Sequence, residues 1–163
     1  MKILFLLLLL ISFDARALDE FGAEEHLSHS ATIPAAIIAD LSHEINLEES
    51  ACNEKNIAPA LEASKVKLSA TSQEIFIKPK AWCLCGAYYC PMWIYQVSNN
   101  SAKRIWSTPG TSYLQILDKK SHGYRQIKSG GGTAGHGSET TWAWDGQQYK
   151  VIKEKTTIAD DGK

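Results

Sequence analysis

Four cysteines, Cys52, Cys83, Cys85 and Cys90, lie downstream of an apolar N-terminal run, and that order constrains the fold more than any other feature. Lys2 supplies a positive charge, Ile3 to Ile11 are apolar without a break, and Ala15-Arg16-Ala17 has the small-x-small pattern that signal peptidase cuts after. The run is too short to span a bilayer comfortably, so residues 1–17 read as a secretory signal peptide. The mature chain is expected to begin at Leu18 and to be periplasmic or secreted. No cysteine stands at the cut site, so no lipid anchor is expected. An even cysteine count in an exported chain argues for two disulfides.

Three pairings can be drawn. A Cys83–Cys85 bond would close a strained ring across one residue, which disfavours that pairing and its complement. The preferred set is Cys85–Cys90, closing the Gly86-Ala87-Tyr88-Tyr89 loop, with Cys52–Cys83 tying the N-terminal half to the rest. Its rivals are Cys52–Cys85 with Cys83–Cys90, and a thiolate zinc site. On the chain-entropy model the longer preferred loop contributes about 3–4 kcal/mol and the shorter about 2 kcal/mol.

Cleavage leaves 146 residues with 15 basic and 17 acidic side chains, a net charge of −2. No basic stripe follows a phosphate backbone, so nucleic-acid binding is disfavoured. No second apolar run reaches membrane-spanning length, so no membrane span is expected after signal removal. The length suits one domain with one core.

Residues 18–31 are polar and acidic and read as a flexible leader; His26 and His29 within it are more simply solvated than metal-bound. A helix is expected next, with Thr32 as cap and Pro34 in the first turn. Ile37, Leu41 and Ile45 give it one apolar face. A short second helix is expected over Asn56 to Ser64. From Lys65 the period becomes alternating. Strands are expected around Val66 to Leu68, Glu74 to Ile77, Met92 to Val97, Lys103 to Ser107, Tyr113 to Leu117, Gly123 to Lys128, Thr140 to Trp144 and Gln148 to Lys153, the last two joined across Asp145-Gly146. The expected fold is α+β: an N-terminal amphipathic helix packed on an antiparallel meander sheet of about seven strands, stapled by disulfides. Its single domain would run over 32–155, with 156–163 as a flexible tail.

All five tryptophans and all six tyrosines fall between Trp82 and Tyr149. Trp142 and Trp144, two apart on an expected strand, point to one face and read either as core or as a stacking platform for a sugar. Tyr88 and Tyr89 sit in the short disulfide loop, where burial is harder, and rigid exposed rings make low-entropy contacts. Ser129-Gly-Gly-Gly-Thr-Ala-Gly-His-Gly-Ser138 reads as a flexible link between strands, or as a loop that presents His136. Gly130, Gly132 and Gly135 fit G-x-G-x-x-G, but no helix follows them. Nucleophile signatures are poor: no G-x-S-x-G elbow occurs, and Ser64-Lys-Val-Lys67 lacks the companions of S-x-x-K enzymes. Glu139 with His136 is the one acid–base pair worth weighing. Asn99-Asn100-Ser101 is a glycosylation sequon. No cofactor or metal is expected.

The run Cys83-Leu-Cys-Gly-Ala-Tyr-Tyr-Cys-Pro-Met-Trp-Ile-Tyr95, followed by Gly123-Tyr-Arg-Gln-Ile127 and Trp144-Asp-Gly-Gln-Gln-Tyr149, resembles a pattern of small exported bacterial proteins of uncharacterised function. The resemblance covers residues 83–149. It implies a bacterial, exported, disulfide-bonded protein and carries no catalytic residue across. Where that group has glycine-asparagine in the short loop, this chain has Tyr88-Tyr89. The leading expectation is a non-catalytic binding protein, of inhibitor or immunity type, acting on an envelope enzyme, with Tyr88, Tyr89, Trp93 and His136 as contacts. The alternatives are a carbohydrate- or peptidoglycan-binding module using Trp142 and Trp144, and a small hydrolase around His136 and Glu139.

Overall fold

A computed structural model describes residues 19–45, 47, 52, 56–99, 101–133 and 135–158. The signal peptide expected over 1–17 and the last five residues of the expected tail lie outside the described residues.

The strands are β1 (Glu20–Gly22), β2 (Leu61–Val66), β3 (Gln73–Pro79), β4 (Cys90–Ser98), β5 (Ser101–Thr111), β6 (Tyr113–Ser121), β7 (Tyr124–Thr133), β8 (His136–Trp144) and β9 (Tyr149–Ile158), and the helix is α1 (Ala35–Glu44). They form two antiparallel sheets, β1-β6-β7-β8-β9 and β2-β3-β4-β5. The α+β class and the disulfide staples are therefore present, but among the described residues there are nine strands in two sheets, not about seven in one. The chain changes layer at Ser112, the single residue between β5 and β6. In sequence, a strand that crosses to another layer looks the same as one that turns back beside its neighbour.

Alternation then sorts the side chains into two cores. Phe76, Met92, Ile94 and Trp106 of the four-stranded sheet face Leu114, Ile116, Ile127, Trp144 and Tyr149 of the five-stranded sheet. The opposite face of the four-stranded sheet carries Ile75, Ile77, Trp93 and Tyr95, and α1 lays Ile37 and Leu41 upon them. Both helix residues are fully buried, so truncating either to alanine costs about 2–5 kcal/mol. Polar tips fasten the same layer. Tyr95 donates to Asp40 at 2.5 Å, Trp93 Nε1 donates to Glu44 at 3.2 Å, and Arg104 bonds both carboxylates. Burial pushes the Tyr95 phenol up, and the bond to Asp40 adds to this.

Several local expectations are corrected. The segment read as leader contains β1, which pairs with β6 from Glu20↔Gln115 to Gly22↔Tyr113. Phe21 stacks on Phe76 at 4.6 Å, and this anchoring ring is what a three-residue strand cannot announce by periodicity. Pro34, not Thr32, is the α1 cap residue, and no side chain caps it. The expected helix over Asn56 to Ser64 is a single 3₁₀ turn, Ala58–Ala60, followed by β2. Ile57 and Leu61 share one core, so their four-residue spacing came from burial on both sides of a turn. The expected tail is shorter, because β9 pairs as far as Ile158↔His136.

The preferred disulfides form: Cys52–Cys83 with Cα atoms 5.1 Å apart, and Cys85–Cys90 at 4.3 Å. This leaves no thiolate for the zinc alternative.

Candidate functional site

Around the Cys85–Cys90 bond the chain is tied from several directions. Trp82–Leu84 forms one 3₁₀ turn, closed by Cys85 N–H to the Trp82 carbonyl at 2.9 Å. Gly86 N–H donates to the Tyr89 carbonyl at 2.7 Å, which closes the disulfide loop upon itself. Ser112 Oγ donates to the Tyr88 carbonyl at 2.9 Å, and Ala23 N–H donates to the Ser112 carbonyl at 2.8 Å. The loop is thus fixed to the layer-crossing residue and to the end of β1.

Two rings stand out from this base. Trp82 is 52% exposed and Tyr88 is 59% exposed. Tyr89 behaves differently: its ring lies over Gly131, where an added Cβ would meet it at 2.6 Å, and its Cβ packs on Gly110. Sequence reasoning did not single out Trp82 as an exposed ring. Its only signal was a place beside Cys83, just outside the loop, and five tryptophans gave no means of ranking them.

Beside Trp82 lies a cavity of about 90 Å³ bordered also by Cys85, Glu24, His26, Lys78 and Lys80. Lys78 is 2% exposed. Its ammonium lies 2.7 Å from Glu62 Oε1 and donates to the Ala23 carbonyl at 3.2 Å. Glu62 Oε2 accepts Leu27 N–H at 3.2 Å. The pair therefore pins residues 23–27 against the four-stranded sheet.

The glycine-rich stretch is not a linker. Gly130, Gly131 and Gly132 belong to β7, and Gly137 belongs to β8. A Cβ on Gly130 would stand 2.5 Å from the Ser138 carbonyl oxygen, and one on Gly132 would stand 2.6 Å from that of His136. Close backbone approach explains Gly130 and Gly132, and the Tyr89 ring over it explains Gly131. His136 is exposed at the hairpin end, one register step beyond Gly132, on the side where Tyr89 covers Gly131.

The remaining sequence candidates are drawn elsewhere. Trp93 is 1% exposed beneath α1, so it is core and not contact surface. Trp144 is 7% exposed between Tyr124 at 4.4 Å and Tyr149 at 5.5 Å. Trp142 packs edge-on against Trp106 at 5.9 Å and donates Nε1–H to Ser129 Oγ at 3.0 Å. Trp144 belongs to the intersheet core and Trp142, partly buried, packs against it. His136 and Glu139 are three apart on one strand and so project to opposite faces. Glu139 is held by Tyr113 O–H at 3.1 Å and by Lys128 at 3.2 Å. Burial works to raise its carboxyl, but the bonds from Lys128 and Tyr113 outweigh it and hold the group below its ordinary value. Burial and the Glu139 charge push the Tyr113 phenol up to about 12.

Of the sequence candidates, the structure thus gathers Tyr88, Tyr89 and His136 at one end of the molecule and adds Trp82. The chain matches no family model, no curated protein and no solved structure.

Proposed function

We propose that this chain is an exported, non-catalytic binding protein that holds a protein partner in the cell envelope, in the manner of an inhibitor or immunity protein. Its contact surface is Trp82 and Tyr88, flanked by Tyr89 and His136. One observation carries this reading: two large rings are left more than half exposed on a backbone tied down by a disulfide and by bonds from Ser112 and Ala23. Rings held in place lose little entropy on docking, and exposed aromatics are the residue class that dominates interface energies. Neither a Trp142/Trp144 platform nor a His136/Glu139 acid–base pair gains support from where those side chains lie.

The test uses the mature chain as bait in envelope extract from its host. Trp82→Ala/Tyr88→Ala should cut capture of a specific partner by about 30-fold or more, at about 2 kcal/mol or more for the pair, with an unchanged thermal midpoint. Undiminished capture by the double variant rules this surface out.

A further inference from the structure

β4 runs from the aromatic loop at Cys90 to Ser98, and at that far end a groove of about 750 Å³ opens. Its lining includes Ser72 and Gln73, Gln96 and Ser98 of β4, and Asn99 and Lys103. It carries no carboxylate, and its one cation already donates Nζ–H to the Gln147 carbonyl at 3.2 Å.

Behind the groove sits a buried carboxylate. Glu74 is 1% exposed and is the register partner of Gln96. It accepts from Leu68 N–H at 3.2 Å, from Ser69 Oγ at 3.3 Å and from Ser72 Oγ. Ser72 Oγ also meets Tyr124 O–H at 2.9 Å, and Gln96 Nε2 donates to the same phenol at 3.1 Å. This chain fixes the orientation of Ser72 and Gln96 before any ligand arrives. Among the described residues, the side-chain amides of Gln73 and Asn99 and the carbonyl Oε1 of Gln96 have no hydrogen-bond partner in the protein.

We propose that this groove binds a neutral oligosaccharide. The Gln96 amide, held by Tyr124, and the solvent-facing amides of Gln73 and Asn99 supply donors and acceptors together, which is what vicinal hydroxyl groups need. The lining holds a single charge, the Lys103 ammonium, which is already turned to the Gln147 carbonyl, and no cluster of like charges that would select an ionic ligand. β3 and β4 are each paired on both sides and offer no open edge; β5, which contributes Ser101 and Lys103, is the edge of this sheet, and a peptide strand added there would shift β5 backbone amides rather than the glutamine side chains. The volume lies within the usual range for small-molecule sites. The site is separate from the aromatic loop, and its failure would leave the protein-binding reading untouched.

The test is a titration of the isotope-labelled mature chain with two probes, N-acetylglucosamine trimer and maltotriose, read at the side-chain amide resonances of Gln73, Gln96 and Asn99. Saturable shifts of these resonances are expected with at least one probe. Gln96→Ala should weaken that binding about tenfold or more. Because Gln96 also holds Tyr124, a second variant is needed. Gln73→Ala removes a side chain that bonds nothing in the protein, and should weaken binding about threefold with the fold intact. Trp82→Ala/Tyr88→Ala should bind sugar as the parent does. Absence of saturable shifts with both probes at about 20 mM, well above the dissociation constant of a weak polar site, would overturn the proposal. So would shifts that neither glutamine variant alters.

Discussion

Lys78→Met isolates what the buried ion pair contributes. Methionine keeps an unbranched apolar stem in a site that is 2% exposed and removes only the charge. Glu62, whose side chain is 10% exposed, then loses the ammonium 2.7 Å away. Leu27 N–H still donates to Oε2, which retains about 1 kcal/mol. His26 lies 3.6 Å from the same oxygen but is 75% exposed, so it compensates little. Breaking a buried pair on one side costs about 3–5 kcal/mol, and the lost bond to the Ala23 carbonyl adds about 1 kcal/mol. The net expectation is a loss of about 3–5 kcal/mol, a large share of the total stability of a small domain. Urea unfolding at neutral pH, followed by tryptophan fluorescence, measures it as a lower midpoint with an unchanged slope. Lys78→Met/Glu62→Met removes both charges and should recover at least about 2 kcal/mol of the loss. A single variant that loses less than about 1 kcal/mol, or a double variant no more stable than the single, would refute this account of the pin.

Three further outcomes follow from the same structure. Replacing Cys52 and Cys83 by serine should cost about 4 kcal/mol, and replacing Cys85 and Cys90 about 2 kcal/mol, because the closed loops differ in span (31 against 5 residues); calorimetry of the two variants ranks them. Gly131→Ala places a methyl 2.6 Å from the Tyr89 ring and against Ser112 Oγ, so it should cost about 1–3 kcal/mol in urea unfolding and leave the Tyr89 ring more exposed to solvent quenchers. For Asp40, burial raises the carboxyl, but the bonds from Tyr95 and Arg104 hold it below 3.8 overall. A depressed folded value gives stability that is present above the unfolded value and lost as pH falls through the folded one. Asp40→Asn should therefore be less stable at neutral pH and show a shallower decline of its urea midpoint below about pH 4.

Residue type and spacing made α1 and most of the strands legible and left the layering hidden. Met92, Trp93, Ile94 and Tyr95 read as one strand from their β-forming side chains, and they are one. That alternate members serve two different cores requires knowing that a second sheet lies on one face and α1 on the other. The disulfides were legible because ring strain and loop span act locally. The glycine run was misread for a physical reason: a glycine kept for close backbone approach and one kept for flexibility are the same letter. Only the Ser138 carbonyl 2.5 Å from a hypothetical Cβ at Gly130 separates the two. Trp82 and Trp93 differ in the same way, since a ring beside a cysteine and a ring within a strand carry no mark of exposure until the layers are placed.

Exposed apolar residues also occur away from the proposed contact surface. β9 is an edge strand in which only Tyr149 is buried, and Val151, Ile152 and Ile158 are 44%, 53% and 67% exposed. A free edge with apolar side chains invites pairing with another chain. Here the register breaks between Thr141 and Trp142, so Trp142 pairs with Val151, Thr141 pairs with Lys153, and Ile152 is left as the extra residue of a bulge. The bulge reverses the alternation: Val151 shares a face with Trp142, while Lys153, two residues on, shares the other face with Thr141. No apolar stripe accumulates on either face, and Lys150, Lys153 and Lys155 interrupt the edge. Bulges and lysines are the devices that keep such edges unpaired. Trp82 and Tyr88 have no such guard: each stands exposed on cross-linked backbone, Trp82 beside Cys83 and Tyr88 within the Cys85–Cys90 loop, with a cavity beside Trp82. On the proposed reading, a partner that docks by hydrophobic contact is therefore expected at the disulfide loop and not along β9.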